Sequence, residues 1–404
     1  MKTILMLAGE PSGDLHASNL ALELKRCGKD LRIIGTGGEK MRSAGVEILF
    51  DLKTLAVTGL IGVIKNYAKL KKIQTSLLAK IKKEKIDLII LVDYPDFNLR
   101  FAKKAQGSGV PIIYYISPQV WAWRRGRVNL IKKYIKKIFV IFKFEEELYK
   151  KEGIDAEFIG HPLLDIVRPS LSREAFFLGL RPAPCTLHPA SYTVALLPGS
   201  RKRLVKKHLP IMLKAANIIS KKLPDARFLI SKSPSLNKTI YDQALKKHVG
   251  ARNSNPVIAR SPDSIGTTKQ SLFSIVENGA YDLINASDAV LVISGTATLE
   301  TAILGKPMVI IYKLPALEYI LAKPLLRVKN IGLVNILAGK EIVPELIQLK
   351  ARPARIAGEM VQLLTDEKKR EGIINALAHV KNTLYPDGAA KRAAQSIVKL
   401  LESA

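Results

Sequence analysis

The sequence predicts an α/β protein of two doubly wound, Rossmann-like domains facing a central cleft. Three observations predict it. Short, almost wholly apolar runs alternate with helical patterns, as in parallel strands covered on both faces. The alternation occurs twice, once before residue 168 and again after residue 190. In both series the runs end in turns rich in Gly, Ser, Asp and Asn, and α/β folds bind ligands at the carboxyl ends of their strands.

Residues 3–8 read as the first strand, and Gly9-Glu10-Pro11-Ser12-Gly13-Asp14 as the turn into a helix over about 15–27. Glycines there permit a sharp turn and let a ligand approach backbone N–H groups at a helix start. Their spacing is not the dinucleotide fingerprint. Arg32–Gly35 is a second strand, entering Gly35-Thr36-Gly37-Gly38, a weak motif on its own. Ile86–Val92 is a third, and it delivers Asp93-Tyr94-Pro95-Asp96-Phe97-Asn98. Two carboxylates at such a position include a candidate base for an attacking hydroxyl, raised in pKa by partial burial. Asp96 also suits a helix cap. Pro111–Ile116 and Lys137–Ile141 complete the first series. Between them, Ser117-Pro118-Gln119-Val120-Trp121-Ala122-Trp123-Arg124 gathers both tryptophans, with Arg125 and Arg127 close behind. Such a cluster can stack on a ring and bind phosphate, or line a nucleic-acid groove.

In the second series, Tyr192–Leu197 ends in Pro198-Gly199-Ser200-Arg201, followed by a basic helix over about 202–222. A helix start beside a guanidinium favours an anion, here a diphosphate. Arg227–Ser231, Leu272–Val276, Ala289–Ile293 and Pro307–Tyr312 are further strands. After the third of these comes Ser294-Gly295-Thr296-Ala297-Thr298-Leu299-Glu300, whose small residues admit a ligand to a second helix start. Glu300 is placed to accept from ribose hydroxyls, or belongs to a capping box one residue too long. Four prolines mark 165–190 as a linker, and 250–270 reads as a surface loop. The expected domains are 1–168 and 190–370. The C-terminal helices, 371–404, then pack back on the first domain or on a partner subunit.

With 48% hydrophobic residues, the chain excludes extended disorder. Cys27 and Cys185 make no disulfide framework and fit a reducing cytoplasm. The six histidines are scattered, so no metal site is expected. No uncharged apolar stretch approaches the roughly 18–20 residues of a spanning helix, and no signal peptide is evident. The protein reads as soluble or peripheral. A net charge of +29, from 64 basic against 35 acidic residues, attracts phosphorylated ligands, anionic lipid or nucleic acid. A lysine-rich composition produces it with no partner at all. Leu60, Ile61, Val63 and Ile64 precede a run of lysines from Lys65 to Lys83. That segment suits a membrane surface or an acyl chain, or a packed helix with a solvated lysine face. Tyr319–Leu326 is a second such candidate.

Together the motifs at 8–14, 93–98, 117–124, 158–162, 196–201 and 294–300, with Asn335-Ile336-Leu337-Ala338-Gly339, Glu341 and Pro344-Glu345, closely resemble the lipid-A-disaccharide synthases. The resemblance runs over nearly the whole chain, and Trp-Ala-Trp-Arg is its most specific block. It implies the GT-B fold and an inverting transfer that needs neither metal nor cofactor. UDP-2,3-diacylglucosamine would be joined to 2,3-diacylglucosamine 1-phosphate (lipid X) through a β-1,6 bond, releasing UDP at the inner face of the cytoplasmic membrane. Asp93 then matches the catalytic base and Arg201 the diphosphate-holding arginine. Glu300 and Asn335 match the UDP-side pocket. Glu10, Ser12, Asp14, Asp96, Asn98, Trp121, Arg124, Gly199, Ser200, Ser294, Gly295 and Thr296 are the further substrate-binding candidates. The partners implied are the two substrates and an anionic membrane surface, with no nucleic acid; a homodimer is left open. The sequence departs from the family at Gly62 and Leu204, where Glu is usual, and at Val334, where Pro is usual. Another UDP-sugar transferase or epimerase of this fold is the alternative. A basic nucleic-acid-binding protein is a third reading, for which the strand-end motifs are unneeded.

Overall fold

A strand flanked by helices on both faces has no solvent side, so every residue of it must be apolar. Leu88–Val92 and Ala289–Ile293 meet that condition, each with all five residues buried, and each lies near the middle of its own sheet. The structure is a computed structural model that describes residues 1–28, 30–52, 59–122, 124–179, 192–249, 257–259, 272–315 and 330–403, with backbone alone at 59–67 and 257–259. The chain divides into two units, Met1–Asp165 with Leu384–Ala404, and Ile166–Thr383.

The first unit holds a parallel sheet of β1 (Lys2–Leu7), β2 (Leu31–Gly37), β3 (Glu47–Asp51), β4 (Leu88–Val92), β5 (Ile112–Tyr115), β6 (Lys137–Val140) and β7 (Ala156–Phe158), in the order β3-β2-β1-β4-β5-β6-β7. Helices Pro11–Cys27, Gly59–Lys83, Pro95–Ala105 and Arg127–Tyr134 are among its connections. One face is covered by Ile73, Leu77, Phe97, Phe101 and Ile131, the other by Ala17, Leu20, Ala21 and Leu24.

The chain's last helix, Ala389–Glu402, completes that second face. Its Ala389, Ala393, Ala394, Ile397 and Leu401 pack into the same cluster as helix Pro11–Cys27. Small alanines let the two helix backbones approach. The Asp165 carboxylate accepts from the N–H groups of Gly388 (2.6 Å) and Ala389 (3.0 Å), which satisfies the new helix's orphan donors. Arg392 Nε donates to the Ile159 carbonyl at 2.9 Å. The preceding helix, Glu367–Thr383, stays in the second unit, so the boundary expected at 371 falls inside it.

The second unit holds β8 (Thr193–Leu197), β9 (Arg227–Lys232), β10 (Val257–Ala259), β11 (Phe273–Glu277), β12 (Ala289–Ile293), β13 (Met308–Tyr312) and β14 (Glu345–Ile347), all parallel, in the order β10-β11-β9-β8-β12-β13-β14. Two expectations are corrected here. The units divide at the start of the expected linker 165–190, between Asp165 and Ile166, but its described remainder packs on the second unit. Asp282 accepts from the N–H groups of Ser170 and Leu171, Arg173 forks onto Asp288 at 2.6 and 3.1 Å, and Phe176 and Phe177 are buried. Residues 250–270 are not all loop, because Val257–Ala259 pairs with β11. Residues 180–191, 250–256, 260–271 and 316–329 lie outside the described residues, and with them the lipid-facing candidate at 319–326.

Both tryptophans of the chain belong to the first unit, so their fluorescence reports on that unit's unfolding. Asp165→Ala removes the acceptor of two helix-start N–H groups and should lower its stability by about 1–2 kcal/mol, read as a lower urea midpoint with unchanged slope. An unchanged midpoint would show that the last helix does not depend on the Asp165 carboxylate.

Candidate active site

Strand order in the first sheet reverses between β1 and β4, which pair through Ile4–Leu88 to Leu7–Leu91. The connections leaving their carboxyl ends diverge, opening the crevice that such sheets use for ligands. Glu10 follows β1 and Asp93 follows β4. Asp93 (φ 45°) and Tyr94 (φ 47°) are successive left-handed residues, a conformation that costs roughly 1–2 kcal/mol for each non-glycine residue. Three hydrogen bonds hold it. The Asp93 N–H donates to Tyr115 O (3.2 Å), and the Asp93 carbonyl accepts from Tyr114 Oη (2.6 Å) and Asn98 Nδ2 (2.7 Å). Asn98 is buried and also donates to Val92 O at 3.2 Å. Above the turn, the Tyr94 ring occupies the space a Cβ on Gly9 would need, 2.1 Å from Cδ1, so Gly9 is required for a close approach.

So fixed, the Asp93 carboxyl is pushed up to about 6, chiefly by burial and then by the Glu10 charge, against the Tyr94 N–H and Arg127. Asp96 caps nothing, although it lies in the first turn of helix Pro95–Ala105. Its Oδ1 accepts from Arg124 Nη1 (2.6 Å) and Arg127 Nη2 (2.7 Å). Trp121 Nε1 donates to Glu145 Oε1 at 2.8 Å, and its ring meets Phe142 and Phe144 edge-on. Burial raises the Glu145 carboxyl to about 7, opposed by its hydrogen bonds from Trp121 and neighbouring groups. Glu145 was not singled out in the sequence. Its signal is the acidic residue three positions into a helix that starts at the carboxyl end of β6. Trp123 lies outside the described residues.

Ser12 is exposed in the first turn of helix Pro11–Cys27, whereas Asp14 is buried. The Asp14 carboxylate accepts from the N–H groups of Gly38 (2.7 Å), Lys40 (3.2 Å) and Met41 (3.2 Å). It thereby ties the turn after β1 to the turn after β2, and the weak Gly35–Gly38 motif becomes the close packing this tie requires. His161, in the segment where the chain leaves the unit, is buried with Nδ1 accepting from Leu163 N–H. Burial and His16 push its pKa down to about 3.

In the second unit the reversal lies between β8 and β12, which pair. Gly199 after β8 has φ 96°, and a Cβ there would sit 2.4 Å from Ile293 Cδ1, so only glycine fits. Ser200 and Arg201 are exposed, and Arg201 is the N-cap of the 21-residue helix Lys202–Lys222. No acidic residue occupies that helix's first turn, while Lys202 and Arg203 do. Cations at the positive end of a helix dipole are unfavourable alone and well suited to an anion. After β12, Ser294 Oγ donates to Ile331 O (2.9 Å), Gly295 is the N-cap of helix Thr296–Ile303, and Thr296 is exposed. Glu300 accepts from Tyr281 Oη at 3.3 Å, and burial raises its pKa.

Asn335 is wholly buried and engaged on both sides of its amide. Nδ2 donates to Val343 O and Glu345 Oε1, both at 2.8 Å, and Oδ1 accepts from Ile342 and Val343 N–H. Glu345 in turn accepts from the N–H groups of Ile331 and Gly332. The pair braces the loop that Ser294 also touches. His208, absent from the sequence-level site, does similar work: Nε2 accepts from Lys313 N–H and Nδ1 faces Leu204 O, both at 2.9 Å.

A family model described as lipid-A-disaccharide synthetase matches residues 4–395. A lipid-A-disaccharide synthase of Syntrophus aciditrophicus is 40% identical over 403 residues, covering 99% of this chain and 98% of its own. One from Geobacter metallireducens is 39% identical, covering 99% and 97%. One from Coxiella burnetii is 37% identical, covering 100% and 99%. Among solved structures, a UDP-GlcNAc 2-epimerase from Neisseria meningitidis bound to UDP-GlcNAc is similar with TM-score 0.62 at 14% identity, covering 99% of this chain and all of its own. The S. aureus MnaA-UDP co-structure has TM-score 0.63 at 13% identity, covering 100% and 97%. At such identities the likeness is one of fold, the GT-B arrangement of two Rossmann-like domains.

Because the Asp93 carboxyl is raised in the folded state, its ionisation opposes folding. That cost is absent below the ordinary carboxylate range and complete above about pH 6. Asp93→Asn should therefore raise the thermal midpoint of the first unit at pH 8 and leave it unchanged at pH 4. Equal midpoints at both pH values would mean that the carboxyl is not shielded.

Proposed function

The chain belongs to the lipid-A-disaccharide synthase family of glycosyltransferases, and on that premise we propose how its residues divide the transfer. UDP-2,3-diacylglucosamine is the donor and lipid X the acceptor. The Asp93 carboxylate takes the proton of the acceptor's 6-hydroxyl while that oxygen bonds to the donor's anomeric carbon. The bond from that carbon to the diphosphate breaks in the same displacement, its electron pair leaves with UDP, and the anomeric configuration inverts. The observation that carries this reading is the clamped, partly buried Asp93 at the carboxyl end of β4. A base near 6 is ionised at neutral pH and still strong enough to share a proton in the transition state.

Arg201 and the start of helix Lys202–Lys222 take up the charge growing on the leaving diphosphate. Gly199 and Ser200 bring backbone N–H groups to it, Ser294, Gly295 and Thr296 form the second helix start, and Glu300 accepts from the ribose. Asn335, Asn98 and Asp14 serve by positioning, since the side chain of each is hydrogen-bonded to backbone. Glu10 supports Asp93 by keeping its pKa high. Among the described residues no helix is long and apolar enough to cross a membrane. The net charge of +29 supports peripheral binding to an anionic bilayer. The apolar side chains at 60–64 proposed for that contact are outside the described side chains.

Purified protein in detergent with both substrates and no added metal should release UDP and form disaccharide. Asp93→Ala should lower kcat by about 10²–10⁴-fold and Arg201→Ala by about 10²–10³-fold. In wild type, kcat/KM should rise tenfold per pH unit and level off above about 6, the break following Asp93. UDP binding without disaccharide formation would move the chain to another UDP-sugar reaction. Full activity of Asp93→Ala would remove the base from the scheme.

A further inference from the structure

Beside the Asp93 turn, and wholly within the first unit, lies a cavity of about 320 Å³ between helices Pro95–Ala105 and Arg127–Tyr134. That volume is at the low end for small-molecule sites, enough for a phosphorylated sugar head but not for its acyl chains. Its wall carries Arg100, Arg124 and Arg127 together with Leu99, Leu130 and Asp96. Three guanidinium groups and one carboxylate are among the lining residues, so cations outnumber anions there, which suits a phosphomonoester of about −1.5 to −2 at neutral pH. Asp96 does more than reduce the charge. Its Oδ1 takes one nitrogen from each of Arg124 and Arg127, fixing the spacing of the two forks. The Arg127 side chain is only 8% exposed, so it forms a rigid back wall. Arg124 and Arg100 are exposed at the mouth.

We propose that this cavity is the subsite for the anomeric phosphate of the acceptor sugar, with the three arginines as donors and Leu99 and Leu130 meeting the root of an acyl chain. The assignment rests on the acceptor named above. Its position agrees with the linkage formed. Arg127 bonds Asp96 and acts on Asp93 through its charge, so the cavity and the base are neighbours at the start of one helix. A sugar whose C1 phosphate lies on the arginines presents its opposite end, the 6-hydroxyl, toward Asp93. Planar forks give bidentate phosphate contacts that lysines would not, which accounts for three arginines here in a lysine-rich chain.

The test compares lipid X with its dephosphorylated counterpart, 2,3-diacylglucosamine, for wild type, Arg100→Ala, Arg124→Ala and the double variant. Arginines at the exposed mouth are chosen so that folding survives. Each single variant should lower kcat/KM for lipid X by about 10–100-fold, mainly through the acceptor's KM, with the donor's KM unchanged. Removing the phosphate should cost wild type a similar factor, and the arginine and phosphate losses should fail to add. Full additivity would overturn the subsite. So would reduced binding to phosphatidylglycerol vesicles with an unchanged acceptor KM, because the arginines would then serve a lipid headgroup. If wild type forms no disaccharide, calorimetric binding of the two acceptors in detergent separates the claims. Coupled losses there would keep the phosphate subsite and sink only the reaction, and uncoupled losses would sink the subsite too.

Discussion

The hydroxyl of Tyr114 and the amide of Asn98 both donate to the carbonyl of Asp93, and the geometry of the first unit's site depends on that pair of hydrogen bonds. Left alone, two successive left-handed residues at the end of β4 would relax. Held, they fix the Asp93 backbone at the carboxyl end of β4 and start a new helix at Pro95. Tyr114 comes from the neighbouring strand and is fully buried, so the sheet itself sets the position of the carboxyl. The same turn orders Asp96, and through Asp96 the guanidinium groups of Arg124 and Arg127.

A division of labour runs through both units. Residues wholly buried at the strand ends mostly bond backbone: Asp14 closes the turn after β2, Asn98 the turn after β4, and Asn335 with Glu345 the loop before β14. Exposed residues at the same strand ends, among them Ser12, Arg124, Ser200, Arg201 and Thr296, carry the proposed ligand contacts. Their positions are inherited from the buried set. A buried polar group must find partners, and a backbone segment that supplies them is thereby fixed.

Much of the fold was legible because its central strands are unbroken apolar runs. The helix over 202–222 and the strand Ala289–Ile293 fall where the sequence puts them. The misses are edge strands. β3 and β14 carry acidic residues, and β7 and β10 are three residues long, so pairing with a neighbour, not composition, makes them strands. At the site, the positions of Asp93, Gly199 and Arg201 could be read from strand ends. The internal bonding of Asp14 and Asn335 could not, since a sequence does not say whether a polar side chain faces ligand or its own backbone. Val334, where the family usually has Pro, is fully buried in the helix Leu333–Leu337, and the loop is secured by its neighbour Asn335. Gly62 lies where only backbone is described.

The last helix belongs to the unit that the first residues begin. The second unit is therefore spliced into the first, which the chain leaves after Asp165 and re-enters at Leu384. On a ribosome, more than two hundred residues intervene between the two parts, and for that interval the flank of Pro11–Cys27 that meets Ala389–Glu402 has no cover. Parallel sheets are slow to assemble and exposed to aggregation meanwhile. Until Leu384–Glu402 docks, the first unit keeps an open seam along helix Pro11–Cys27, so its completion waits on the segment that follows the second unit.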